Sequence, residues 1–316
     1  MKIITQHYLN VDTSNLLSDE LVIIDHLGGF TSELDNKLLD KLKDINFSGK
    51  ILTQYVIDAK LKEALLPLDI SMSVDLQEDI NFKHFYDYTV HPPVKFENFL
   101  CSFNGSAHVS RQLLTAILHK FELFDTEYCS KNFRYLPAHI DGHLENLQLT
   151  DDEVQLNRKF FTHDDVFSGS IQSFGHVRFD HFANIYNLED RITKSFIHLV
   201  SETMATSYYP YVTEKFLYSI ATRGLFVAYG QPNWHKHVEE HYGFKMYNKI
   251  FNYTFDAIQN PVERLVELIA MLAKFSKLSR SEWHDLYLME CDTIEYNYNH
   301  YYSKSYITHM KKYACV

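Results

Sequence analysis

Apolar residues along this chain fall in short runs divided by polar turns, and their spacing alternates between strand and helix. Residues 21–25 (Leu-Val-Ile-Ile-Asp) form an apolar run ending in an acid; Gly28-Gly29 follows, then a helical stretch over 32–43 with Ser32-Glu33 as its cap region. Runs rich in β-branched residues at 51–56 and 70–74, separated by 60–66, predict two more strands, and 82–90 reads as another. Residues 1–95 are therefore expected to form an N-terminal α/β unit. His91-Pro92-Pro93 closes it, because consecutive prolines favour an extended connector.

The pattern then restarts. A strand is predicted over 99–103, a turn at Asn104-Gly105-Ser106 and a helix over 109–121. Residues 140–185 carry Asp151-Asp152-Glu153, Arg158-Lys159 and many aromatics but no firm period, and are left unassigned. Beyond them come a buried strand at 195–200, a helix at 213–222, a strand at 225–229 and a helix at 234–241. Such alternation implies a parallel sheet with helices on both faces, whose ligands sit at the carboxyl ends of the strands, where Glu202 and Gly230 fall. Val262, Leu265, Val266, Leu268, Ile269 and Leu272 have helical spacing, and 283–294 reads as a further helix. The expected division is 1–95, 96–275 and a helical tail at 276–316.

Composition narrows the classes. With 316 residues, 46% hydrophobic and 15% aromatic, the chain has enough apolar material for two cores with a cleft between them, and is not a disordered chain. The formal net charge of −11 repels a polyanion, which counts against general nucleic-acid binding but leaves room for a local basic groove. Cys101, Cys129, Cys291 and Cys315 lack metal-site spacing and fit free thiols in a reducing compartment. No signal-like leader and no apolar stretch of membrane length is visible, so a cytoplasmic protein without a membrane partner is expected.

Several familiar chemistries are unsupported. Gly28-Gly29 lacks dinucleotide-fingerprint spacing and reads as a tight turn, and no P-loop occurs. There is no Asp-x-Asp; Asp151-Asp152-Glu153 and Glu290-Cys291-Asp292 come nearest and read as solvated or capping acids. His237 and His241, near His235, could place a zinc pair on one helical face, but the neighbouring Lys236 and Glu239-Glu240 favour a polar exposed face, and no metal is expected. The tyrosines of 296–302 read as a packing surface in preference to a stacking platform for bases or sugars.

The richest constellation is Ser201-Glu202-Thr203, Tyr211-Val212-Thr213-Glu214-Lys215 and Gly230. A strand ending in Glu202 and a helix opening on Thr213, Glu214 and Lys215 bring two carboxylates, a hydroxyl and an ammonium to one sheet edge. A nucleotide sugar needs such groups: cation and N–H donors for its diphosphate, carboxylates for its hydroxyls. The same residues also fit ordinary helix capping and a surface lysine.

Tyr211 to Lys215, in this order with the Glu202 loop before and a helix, a strand and Gly230 after, resembles the donor-binding motif of the α1,3-fucosyltransferases, glycosyltransferase family ten. Residues 197–203, 225–230 and Tyr242-Gly243-Phe244-Lys245 also resemble glycosyltransferases of tailed phages and marine microbes. The resemblance covers about 98–275. It implies a GT-B-like fold, two Rossmann-like domains with parallel sheets and C-terminal helices, the N-terminal one on the acceptor side and 96–275 binding the donor. It further implies that Glu214 binds ribose or sugar hydroxyls, that Lys215 and, opposite it, Arg111 neutralise the diphosphate, and that Glu202 and Thr213 shape the same pocket with Gly230. Arg111 fits a solvated helix arginine equally well. The transfer expected is inverting, with basic residues in place of an obligatory metal or other cofactor, and needs a general base on the acceptor side. Asp25, ahead of His26, has the position for it, although a strand-end Asp is also a common turn cap. A phage context implies a 5-hydroxymethylated pyrimidine in double-stranded DNA as acceptor. A bacterial glycan or lipid-linked sugar is the rival, and a non-catalytic sugar-nucleotide-binding module the alternative class.

Overall fold

The computed structural model describes residues 2–4, 22–24, 42–44, 46–53, 63, 68–90, 94–105, 109–131, 174, 180–202, 205 and 210–314. Among them, eight strands make two four-stranded sheets, each wholly parallel, in a mixed α/β protein. In the first sheet β1 (Lys2–Ile4), β2 (Val22–Ile24), β3 (Lys50–Thr53) and β4 (Asp69–Met72) lie side by side in chain order. In the second, β5 (Asn98–Asn104), β6 (Cys129–Lys131), β7 (Ser195–Ser201) and β8 (Phe226–Tyr229) take the order β6-β5-β7-β8. The chain thus steps from β5 to β6 on one side and returns to β7 on the other. Strand order reverses between β5 and β7, and in open α/β sheets the crevice beyond the carboxyl ends of such a strand pair is where ligands bind.

All seven residues of β7 are buried, as an interior parallel strand covered on both faces requires. Helix α1 (Val74–Gln77) follows β4 and continues as a π turn (Glu78–Phe82) and a 3₁₀ turn (Lys83–Phe85). A strand over 82–90 is therefore not formed. Phe82, Phe85 and Tyr88 are each fully buried at intervals of three, a helical period that the aromatic, β-favouring composition of the segment masks.

After β5 comes α2 (Val109–Lys120), and before β7 comes α3 (His181–Lys194). A 3₁₀ turn (Glu214–Phe216) leads into α4 (Leu217–Thr222), and α5 (Trp234–His237) runs on as a π turn (Val238–Tyr242). Gly243 ends that turn at φ 77°, with the His309 ring where a Cβ would stand. The remaining helices are α6 (Pro261–Phe275), α7 (Arg280–Met289), α8 (Cys291–Tyr302) and α9 (Tyr306–Ala314). The single helix expected over 283–294 is two. Buried Glu290 marks the break: its carboxylate accepts from the Lys249 N–H at 2.6 Å and the Thr293 hydroxyl at 2.7 Å.

The C-terminal helices return to the α1 segment. Tyr301 donates to the Phe82 carbonyl at 2.5 Å and Tyr302 to the Tyr88 carbonyl at 2.8 Å, while the Tyr86 and Tyr306 hydroxyls meet. Phe82 also stacks on Tyr242 with centroids 5.4 Å apart. Tyr301 is thus a packing residue, fully buried. Cys101, Cys129 and Cys291 are free thiols. No helix among the described residues is long and apolar enough to cross a membrane.

Candidate functional site

β7 ends at Ser201, and the Glu202 N–H adds one more bond toward β8, donating to the Tyr229 carbonyl at 3.0 Å. Glu202 is thereby held at the carboxyl edge of the sheet, fully buried. Thr213 occupies both of its oxygens: the Thr213 N–H donates to Oε1 at 3.2 Å and the hydroxyl to Oε2 at 2.6 Å. Burial pushes the Glu202 carboxyl up, while Lys215 and the Thr213 hydrogen bonds oppose the rise.

Lys215 Nζ donates to the Thr213 hydroxyl oxygen at 2.9 Å and lies 3.4 Å from Glu214 Oε1 and 3.9 Å from Glu202 Oε2. Burial by itself would raise the Glu214 carboxyl; Lys215 and then His181 overcome it and bring its pKa down to about 2. Arg111 enters from the first turn of α2, only 5% exposed. Burial lowers its pKa, against the fields of Glu214 and then Glu202, which favour the charged guanidinium. Two basic side chains thus approach one pair of carboxylates from the two sides of the place where strand order reverses.

The backbone under these residues is fixed from behind. The Tyr211 N–H donates to Gln231 Oε1 at 3.2 Å, and the Trp234 indole donates to the Tyr211 carbonyl at 3.1 Å. Gly230 makes room for that indole, since a Cβ there would lie 2.7 Å from Trp234 Cδ1. Its duty in the fold is this close approach, and its carbonyl accepts from Arg264 at 3.1 Å. Gln77 of α1 donates to the Val212 carbonyl at 3.4 Å and to the Tyr242 hydroxyl at 3.3 Å, so the segment after the first sheet touches the same motif.

Three neighbours escape sequence reasoning. His181, the first residue of α3, sets Nδ1 3.6 Å from Glu214 Oε1 and 3.2 Å from the Tyr218 hydroxyl, and its ring lies 4.6 Å from that of His84. Asp180 as N-cap ahead of Ile185, Leu188 and Ile192 at helical spacing was the available signal for this helix. Buried Arg264 is the third: its guanidinium donates to the carbonyls of Gly230, Ile258, Gln259 and Ala205, tying three loops beside the site. No motif announces it.

Among the described residues, buried Asn104 Oδ1 and Ser201 Oγ, at the carboxyl ends of β5 and β7, have no hydrogen-bond partner. Asp25 and His26, expected as the base, lie outside the described residues. His235 is structural: Asp256 Oδ1 lies 2.7 Å from its Nδ1, and Nε2 accepts from the Ala228 N–H at 3.0 Å. His237 and His241 stack at 4.2 Å.

Chemically, the cluster can hold a polyanion against Lys215 and Arg111 while Glu214 accepts from hydroxyl groups. Comparison with protein-family models, curated proteins and solved structures finds no match to this chain.

Proposed function

We propose that the chain is a nucleotide-sugar-dependent, inverting glycosyltransferase of GT-B type, with residues 1–95 on the acceptor side and 96–275 holding the donor. The observation that carries this reading is the convergence of Arg111 and Lys215 on Glu202 and Glu214 at the strand-order reversal. In this reading Lys215 and Arg111 take the leaving diphosphate and Glu214 the ribose or sugar hydroxyls. Glu202 serves indirectly, by holding Thr213 and with it Lys215.

As acceptor we propose the hydroxyl of a 5-hydroxymethylated pyrimidine in DNA, flipped from the stack. The net charge of −11 favours the rival, a bacterial glycan or lipid-linked sugar. Incubation with a panel of nucleotide sugars and either hydroxymethylated DNA or oligosaccharides, read by mass spectrometry, separates them. A mass increment on DNA that Lys215→Ala abolishes is the expected result. Transfer to oligosaccharide alone overturns the acceptor, and donor binding without any turnover overturns the enzyme in favour of a recognition module.

A further inference from the structure

We propose that His181 is the general base of the transfer, an inference that rests on the glycosyltransferase reading. Its Nδ1 faces the Tyr218 hydroxyl at 3.2 Å and Glu214 Oε1 at 3.6 Å, which places the N–H on Nδ1. Nε2 then carries the lone pair, and it makes no hydrogen bond among the described residues. The side chain is 21% exposed, open enough to meet an acceptor.

Glu214 Oε1 lies 3.4 Å from the Lys215 ammonium and 3.6 Å from His181 Nδ1. A sugar held at Glu214 is therefore close to both the phosphate-binding cation and the imidazole, whose Nε2 edge is left to the acceptor. As the acceptor oxygen attacks the anomeric carbon, its proton passes to Nε2. The bond from that carbon to the diphosphate oxygen breaks, and its electron pair leaves with the diphosphate toward Lys215 and Arg111. The imidazolium so formed faces the Glu214 carboxylate, as in other carboxylate-oriented imidazole bases.

The groups around His181 suit a base that is neutral before the reaction. Burial lowers its pKa first of all; His84 from the α1 segment and Lys215 from the 3₁₀ turn act in the same sense, while Glu214 and the N-cap Asp180 oppose them. Among the described residues, the Tyr218 hydroxyl of α4 also faces the ring. Transfer should accordingly fall as the pH drops through the His181 pKa, below the usual histidine range.

The experiment compares the parent, His181→Ala and Asp25→Asn in nucleoside-diphosphate binding by calorimetry and in transfer as a function of pH. The expected result is that H181A binds the nucleotide within about threefold of the parent, loses transfer by about 10²–10⁴-fold together with the acidic limb, and regains activity with added imidazole. Transfer by H181A within threefold of the parent, or an acidic limb removed by D25N and not by H181A, overturns the base while leaving the glycosyltransferase standing. Loss of nucleotide binding in H181A also overturns it, because His181 then only supports Glu214. A parent that neither binds nucleotide nor turns over donor overturns both.

Discussion

Both carboxylate oxygens of Glu202 are spent on Thr213, eleven residues further along the chain. A strand end is thereby clamped to the start of the next helical turn, and the Lys215 ammonium hangs from the same hydroxyl at 2.9 Å. Removing the carboxylate leaves a buried hydroxyl and N–H without acceptors, which costs about 1–3 kcal/mol for each orphaned group. Glu202→Ala is thus expected to cost several kcal/mol of stability, read as a lowered urea midpoint, and to weaken nucleotide binding. Glu202→Gln keeps one acceptor oxygen and should lose less on both measures. Equal losses from the two variants would show that the clamp is not the role of this residue.

Gly230 and Trp234 give a second prediction. Any Cβ at 230 meets the indole at 2.7 Å, and the indole is bonded to the Tyr211 carbonyl. Gly230→Ala must displace the ring or the strand end, at a cost of about 1–3 kcal/mol by overpacking. Chemical denaturation reads the loss. Trp234 fluorescence reads the displacement, against Trp283 as the other indole in the chain. An unchanged spectrum and midpoint would show that the close approach carries no energy.

Three strands of the second sheet, β5, β7 and β8, were legible in the sequence because each is a short apolar run, nearly continuous in β7 as burial on both faces demands. The short β6, Cys129-Ser130-Lys131, carries no apolar run and was not read. The donor motif was legible because its residues are close in sequence. Arg111 could be suggested but not placed, since its approach to Glu214 depends on the β6-β5-β7-β8 order, which no local pattern encodes. Phe82 and Phe85 were misread because aromatic residues favour strands in isolation, whereas tertiary burial decided their period. His181 stayed hidden because α3 opens beside a stretch without periodicity. Arg264 reads as an ordinary polar position within α6 until its carbonyl partners are known.

Arg264 yields the third prediction. It is 1% exposed and bonds only backbone carbonyls among the described residues, so its charge is compensated by dipoles of three separate loops. Lysine cannot reproduce that planar fork. Arg264→Lys should cost about 3 kcal/mol or more, in the range for disrupting a buried charged network. Hydrogen exchange should report the loss at Ala205, Gly230 and Ile258 together. Protection lost at one of these loops alone would contradict a shared anchor.

The pH dependence of stability supplies the last test. His198 lies in the middle of β7, 3% exposed, with Nδ1 2.7 Å from the Ser219 hydroxyl oxygen, and burial lowers its pKa to about 3. In the unfolded chain the ring titrates near 6.5. The folded pKa is the depressed one, so acid favours the unfolded state: the His198 contribution is intact above pH 6.5 and is lost as pH falls from there toward 3. Between pH 7 and pH 5 the loss amounts to about 2 kcal/mol from this residue. His237, also lowered by burial with His241 beside it, steepens the same slope. Glu214 acts in a separate and more acidic window, its contribution present above the usual carboxylate range and lost as pH falls toward about 2. Denaturation at fixed pH values should therefore show His198→Gln less sensitive than the parent between pH 7 and 5, whatever its stability at pH 7. Parallel curves for variant and parent across that window would show that His198 titrates alike in both states.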